Sequence, residues 1–415
     1  MNLDQARQLA RTLLYEGYIL WPYHPKALKN NPSTRFQFGV LMPKSNEHSL
    51  HYETSSTFSY LFFIAPHTST LEIWLRFLQL QKRIVEEKRD GDYLPVEKLF
   101  FSNKWFVSWD EAIEHELFYS FSLEQLKNNQ EIFLEVPGKT QIEDYPFGRI
   151  LRQTETLKAH IKLNCTEKES ITVFSIQLEN TNQSRNASEA YSRELLLKRA
   201  FLSTHFIFKL QPGQFISQQD PPPFLQPLIH SFNFQGGLWP ILLSNNLVIA
   251  SPIIIEDYPQ IAPESQGDDF DSTEIEELLA LSTLGLSTEE KELAEATDPK
   301  VQQIFKRWNE SQLDSLVRLH GVIRKMRRIP ENPLKSITIE QKTLSIGQQV
   351  KLHPKGRADI ADMFYKEKIA LVEEIRQDED GKIHIGVILV DDPASELLQW
   401  QGRFYYFSPE EIEPL

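Results

Sequence analysis

The runs LKAHIKLNC (157–165) and SITVFSIQLENTN (170–182) alternate apolar with polar residues, and only the polar TEKE lies between them. A period of two puts every second side chain on one face, so each run reads as a strand. The short polar join makes the pair a long antiparallel hairpin. RFQFGVLMP (35–43) alternates Phe36, Phe38 and Val40, and TLEIWLRFLQLQ (70–81) alternates Leu71, Ile73, Leu75 and Phe77. Both read as strands, although Leu71, Trp74, Leu75 and Leu78 also make a helical stripe. LLLKRAFLSTHFIFKLQPGQFIS (195–217) continues in β-rich residues, and its first half also fits a helix.

Helices interrupt this pattern. Leu3, Ala6, Leu9, Ala10, Leu13 and Leu14 recur at helical spacing and Gly17 stands where that helix stops. SWDEAIEHELFYSF (108–121) opens on Ser108 and Asp110, residues that cap helices, and the spacing predicts a short helix there. Pro221–Pro223 start an irregular segment, read as a surface-wrapping loop that runs to QGGLWPILL.

After RRIPENPLKS, whose two prolines mark a linker, the period is two again, through QQVKLHP, KIALVEEIRQ, KIHIGVILVD and RFYYFSP. Asp380-Gly381 between alternating runs signals a hairpin, because Gly supplies the positive φ of a tight turn at little cost. The expected fold class is therefore α+β. An α+β domain rich in antiparallel strands spans 1–255, and a helical segment packed on it spans 256–328. A linker at 329–336 leads to a small SH3-like β-barrel at 337–415.

The 415 residues carry a formal net charge of -14, which disfavours a general nucleic-acid partner, since an acidic surface repels phosphates. No apolar run approaches the roughly 20 residues of a membrane span. The opening MNLDQARQLARTLLYEG lacks the apolar core and cleavage site of a secretory signal. The lone cysteine, Cys165, excludes an internal disulfide and a multi-thiolate metal site within the chain. A reducing cytoplasm and no membrane insertion are expected.

The charge is segregated. Thirteen acidic residues lie between Glu256 and Glu295 against one base, Lys291, and eight bases against three acids follow between Asp298 and Arg328. Asp268, Asp269, Asp271 and Glu274 invite a hard-cation site, but their spacing lacks the alternate ligands, central glycine and final glutamate of a calcium loop. A capped helix start explains them better: Asp271 with Glu274, and Ser287 with Glu290, make capping boxes. No metal is expected. Glu276, Glu277, Glu289 and Glu290, with Arg324, Lys325, Arg327 and Arg328, form the candidate partner-binding surface.

The remaining candidates are sparse. His48 with His51, and Glu111 with His115, supply two ligands each where zinc needs three or four. Cys165 ends a strand without a neighbouring base and reads as a buried, inert thiol. QGGLWP lacks the glycine spacing of a nucleotide loop, and DEDGKIHIG is a turn. No catalytic constellation and no cofactor site is recognisable.

Three stretches together carry a resemblance: ILWPYHPKALKN (19–30), SPIIIEDYPQIAPESQGDDFDSTEIEELLALSTLGLSTEEK (251–291), and LHPKGRADIADMFYKEKIALVEEI with DDPA and GRFYYFSPEEIEPL at the end. The chain resembles the family encoded beside uptake nickel-iron hydrogenase and its accessory genes in cyanobacteria and actinobacteria. The resemblance spans most of the chain. It implies a non-enzymatic accessory or assembly protein whose partner is a hydrogenase subunit, the small iron-sulfur subunit included, or another accessory protein. The alternative is an enzyme with its site near 218–240 and Asp268–Asp271.

Overall fold

The computed structural model describes residues 2–415 except 25–26, 32–33, 45–52, 169–170, 185–191, 233–235, 261–266, 268, 271–275, 311–335, 340–341, 355–364, 366, 378–381 and 392–403. The chain divides into two compact units, Met1–Val322 and Ile323–Leu415. Antiparallel sheet dominates both, with a few helices in the first, an α+β composition. No helix among the described residues is long and apolar enough to cross a membrane.

The expected hairpin is the middle of a five-stranded sheet. Leu157–Lys168 pairs with Ile171–Asn180 along its whole length. The order is Gln214–Phe215, Ser56–Ile64, Ile171–Asn180, Leu157–Lys168, Gln130–Val136. A second sheet is built on the 20-residue strand Thr70–Arg89. One side of that strand pairs with Leu202–Gln211 and then Gly148–Thr154, the other with Trp109–Ser122 and then Asp92–Val96. Leu71, Ile73, Leu75 and Phe77 face Ala159, Ile161, Leu163, Phe174 and Ile176 of the first sheet in one apolar core. Each such side chain, fully buried, contributes about 1.5–3 kcal/mol.

The opposite face of the second sheet, with Trp74, Ile207, Ile241 and Ile249, is covered by the helix Leu3–Tyr15 through Ala6, Leu9, Ala10 and Leu13. An Asn2–Gln5 capping box starts this helix, and Gly17 at φ 72° follows its end.

Two local expectations are corrected. The segment 108–121 is not a helix: Trp109–Ser122 is a 14-residue strand paired with Thr70–Arg89. Ser108, the presumed cap, instead crosslinks strands, accepting from the Val85 N–H and donating to the Val96 carbonyl. Half-buried Leu117, Tyr119 and Phe121 take the face that packs on the core, a period of two that outweighs the local cap signature. RFQFGVLMP is not a strand but a turn-rich segment in which only Leu41 makes an isolated bridge, to Phe201. Phe36 and Gly39 have φ of 55° and 58°, and a Cβ at Gly39 would lie 2.7 Å from the Thr204 nitrogen. The segment is shaped to pack against the irregularity between Leu202 and His205.

Three helices, Glu276–Leu284, Thr288–Glu295 and Pro299–Glu310, follow in the acidic and basic region. Ala280, Ala294, Val301, Ile304, Phe305 and Trp308 share a core with Leu14, Tyr18, Tyr23 and Phe36.

The second unit holds a hairpin, Ser336–Ile339 with Lys342–Ser345, and a five-stranded antiparallel sheet. The sheet order is Tyr405–Phe407, Ile383–Leu389, Ile369–Gln377, Gln349–Leu352, Ile412–Pro414. Its core includes Val350, Leu352, Val372, Ile375, Ile385 and Val387. From one end strand the chain passes through the 3-10 turn Pro409–Glu411 to the strand at the other end. Among the described residues no ladder joins these two end strands.

Candidate functional site

Buried carboxylates anchor the acidic and basic segments to the rest of the first unit. Asp298 precedes the helix Pro299–Glu310, and its Oδ1 accepts from the Lys300 N–H at 2.8 Å. Its Oδ2 accepts from the Tyr18 hydroxyl at 2.8 Å, and that hydroxyl accepts in turn from the Ala112 N–H. Burial, then the Asp298 charge, pushes the Tyr18 phenol well above its ordinary value. Arg35, fully enclosed, donates from Nε to the Tyr18 carbonyl and sits 4.1 Å from the Trp109 ring centre. Burial lowers its guanidinium to about 10, so it stays charged at neutral pH.

Asp269 is the second anchor. Arg307 forms an ion pair with it, and Trp308 Nε1–H donates to its Oδ1 at 3.1 Å. The Asp269 carbonyl accepts from the Tyr23 hydroxyl at 3.0 Å, and the Phe270 carbonyl from the Gly17 N–H. Asp269 is therefore more than part of a helix start: its buried carboxylate ties the acidic to the basic segment from inside the fold.

Of the predicted contact residues, the side chains of Glu289 and Glu290 are described. Glu290 is exposed but occupied: it accepts from the Ser287 N–H at 2.9 Å and hydroxyl at 2.6 Å, closing the expected capping box. Those bonds hold its carboxyl below the ordinary range. Glu289 is exposed, 3.7 Å from Lys98 Nζ. Glu276 and Glu277 begin their helix, with side chains outside the described residues. Arg324, Lys325, Arg327 and Arg328 lie outside the described residues, as do His48, His51, Asp268, Asp271 and Glu274.

Glu111 and His115 share a strand face but not a site. Glu111 pairs with Arg83 at 2.9 Å and Arg152 at 3.1 Å. His115 Nε2 lies 2.9 Å from Gln79 Oε1 while its ring stacks on Phe77, and burial lowers its pKa. Cys165 is buried, and burial, then Glu167, raises its thiol to about 11. Among the described residues no three His, Cys, Asp or Glu side chains converge as metal ligands.

An open flank of the sandwich, which the sequence reading missed, lies where the two sheets end in Trp109–Ser122 and Gln130–Val136. The short helix Leu123–Leu126 links these strands and plugs Leu123 and Leu126 into the core. Beyond it, Leu117, Tyr119 and Phe121 of one strand and Ile132, Leu134 and Val136 of the other point inward yet are only half-buried. The first edge is partly covered, because Tyr18 bonds the Ala112 N–H and Arg35 the Asp110 carbonyl. The second has no ladder partner beyond Leu157–Lys168 among the described residues.

On the outer face of the same sheet, Phe133 is 77% exposed and stacks on His160 at 4.4 Å and 10°. Beside it lies a groove of about 380 Å³, walled by Phe58 and Tyr60 and floored by Lys162, Asn164, Ser175 and Gln177. The wrapping segment closes one end of that face: its helix Gln226–His230 lays Ile229 on Phe62, Ile171 and Val173. Exposed and half-buried residues alternate in 130–136 as in any strand with one solvated face, so the pattern marks a strand and the topology marks the edge.

Compared with known proteins, the chain matches no family model and none of the curated proteins. The site therefore defines a class only by its chemistry: a hydrogen-bonding sheet edge between an apolar seam and an aromatic, polar face.

Proposed function

We propose that this protein is a non-enzymatic accessory or assembly protein that acts by binding another protein. The observation behind this reading is the open flank, where six inward-facing apolar side chains stay half-buried beside a sheet edge that has no ladder partner among the described residues. Apolar contacts rimmed by polar groups are the chemistry of protein interfaces. The alternative enzyme site has weaker support, since Asp269 is committed to Arg307 and Trp308.

The second unit supports the same reading as an SH3-like barrel. Its end strands are four spacings of about 4.8 Å apart in a flat sheet, roughly 19 Å. The connection from Phe407 to Ile412 includes a 3-10 turn, which rises only about 2 Å per residue, so the sheet must curl to be bridged. The named partner rests on the resemblance of 19–30, 251–291 and the final stretches to proteins encoded beside uptake nickel-iron hydrogenase. On that ground the partner is a hydrogenase subunit or another accessory protein, met in the cytoplasm.

The test is recovery of tagged protein from its native host during hydrogenase synthesis, together with deletion of its gene. Hydrogenase components should co-purify, and the deletion should lower mature enzyme. Full uptake activity in the deletion strain, with no hydrogenase component recovered, would remove the proposal.

A further inference from the structure

We infer that Gln130–Val136 is a docking edge for an extended segment of a partner protein in which apolar residues alternate with basic ones. The inference rests on the protein-binding reading above and names the site and its ligand chemistry.

The backbone direction follows from the registers. In an antiparallel ladder, successive residues turn their N–H and C=O groups to opposite sides. The Thr181 N–H donates to the Lys158 carbonyl, so even-numbered residues of Leu157–Lys168 face Ile171–Asn180 and odd-numbered ones face Gln130–Val136. Ile132 lies opposite Ile161 and Leu134 opposite Ala159, and these pairs make the native ladder. Glu131, Phe133 and Glu135 therefore direct their N–H and C=O groups to the outer edge, which has no ladder partner among the described residues.

A strand added there meets two different surfaces. Residues opposite Ile132 and Leu134 share the inward face and complete the seam with Leu117, Tyr119 and Phe121, which calls for apolar side chains. Residues opposite Glu131, Phe133 and Glu135 share the outward face, where the order is acid, aromatic, acid. The Glu131 side chain remains 52% exposed beside His160, and Glu135 58% exposed beside Lys158. Cross-strand pairs favour opposite charges, and an Arg opposite Phe133 can lie over its ring.

The same charges argue against a second copy of this chain. Antiparallel self-pairing centred on Phe133 sets Glu131 against Glu135 of the other copy, twice, and like charges directly opposed are destabilising. The edge is thus guarded against itself and open to a basic partner.

The test uses full-length protein and a short fluorescein-labelled peptide alternating Val with Lys and Arg. Controls are a peptide of the same composition with the Val residues in one block, and one alternating Val with Glu. The alternating basic peptide should raise anisotropy, and hydrogen exchange should slow at the Glu131, Phe133 and Glu135 amides. Phe133→Pro removes an edge N–H that the native ladder does not use, so it should keep the thermal melt yet weaken binding by about tenfold or more. Phe133→Ala keeps the N–H and should weaken binding less. Glu131→Lys with Glu135→Lys should transfer the preference to the Val/Glu peptide.

Protection elsewhere, equal binding of the blocked peptide, or unchanged binding by a folded Phe133→Pro variant would overturn the edge assignment. If hydrogenase components co-purify equally with wild type and Phe133→Pro, the edge assignment falls while the accessory function stands. If the peptide binds at this edge but no hydrogenase component is recovered, the edge stands and the named partner falls.

Discussion

The Tyr18 hydroxyl donates to the Asp298 carboxylate at 2.8 Å, joining residues 280 positions apart in a buried contact. It links the turn after the first helix to the start of Pro299–Glu310. Tyr18→Phe leaves Asp298 and the Ala112 N–H each short of a partner, and should cost about 1–3 kcal/mol by urea unfolding. Amide exchange in Pro299–Glu310 should quicken in the variant. Equal stability and exchange would show that water replaces the hydroxyl.

Asp269 and the exposed acids should separate sharply in stability. Asp269→Ala removes the buried carboxylate that pairs with Arg307 and accepts from Trp308, and should cost roughly 3 kcal/mol, as breaking a buried pair does. Glu289→Lys should stay within about 0.5 kcal/mol, being exposed and only 3.7 Å from one lysine. Glu290→Lys loses the reciprocal half of the capping box and should destabilise more than Glu289→Lys. Chemical denaturation of the three variants ranks them, and a neutral Asp269→Ala would show that the buried pair does not anchor the fold.

Short-range pattern was enough for the helix Leu3–Tyr15 and the hairpin 157–180, because cap, period and turn lie within a few residues of one another. It failed for Trp109–Ser122, where Ser108 imitates a cap while its hydroxyl bridges residues 85 and 96. It could not find the anchoring role of Asp269 or Asp298, whose partners Arg307 and Tyr18 are distant in sequence. The docking edge was hidden for a related reason. A strand's polar-apolar alternation is the same whether its outer neighbour is present or missing, and only the topology places Gln130–Val136 last in its sheet.

Cys165 should be slow to alkylate. It is buried, and its thiol is raised to about 11, so little thiolate forms at neutral pH. Iodoacetamide should label the native protein far more slowly than the urea-unfolded chain, with one equivalent taken up after unfolding. Rapid native labelling would show that the strand end opens to solvent.

His205 should make the fold acid-sensitive. Its ring is fully buried at the irregularity after Leu202, Nδ1 lies 2.8 Å from the Ser203 carbonyl, and Nε2 has no partner among the described residues. Burial, aided by the nearby Arg76 charge and opposed by the Ser203 bond, lowers its pKa from 6.5 to about 3. The neutral ring is thus the folded form, with Nδ1–H donating to Ser203. Because the unfolded chain takes up the proton first, this contribution is complete above the unfolded value of about 6.5 and is lost as pH falls toward 3. Within that window one extra proton on the unfolded state lowers stability by about 1.4 kcal/mol per pH unit. His205→Gln keeps a donor for the Ser203 carbonyl without titrating. Urea unfolding at successive pH values between 6 and 4 should therefore give a shallower slope for the variant, by about that amount. Parallel slopes would assign the acid sensitivity to other groups.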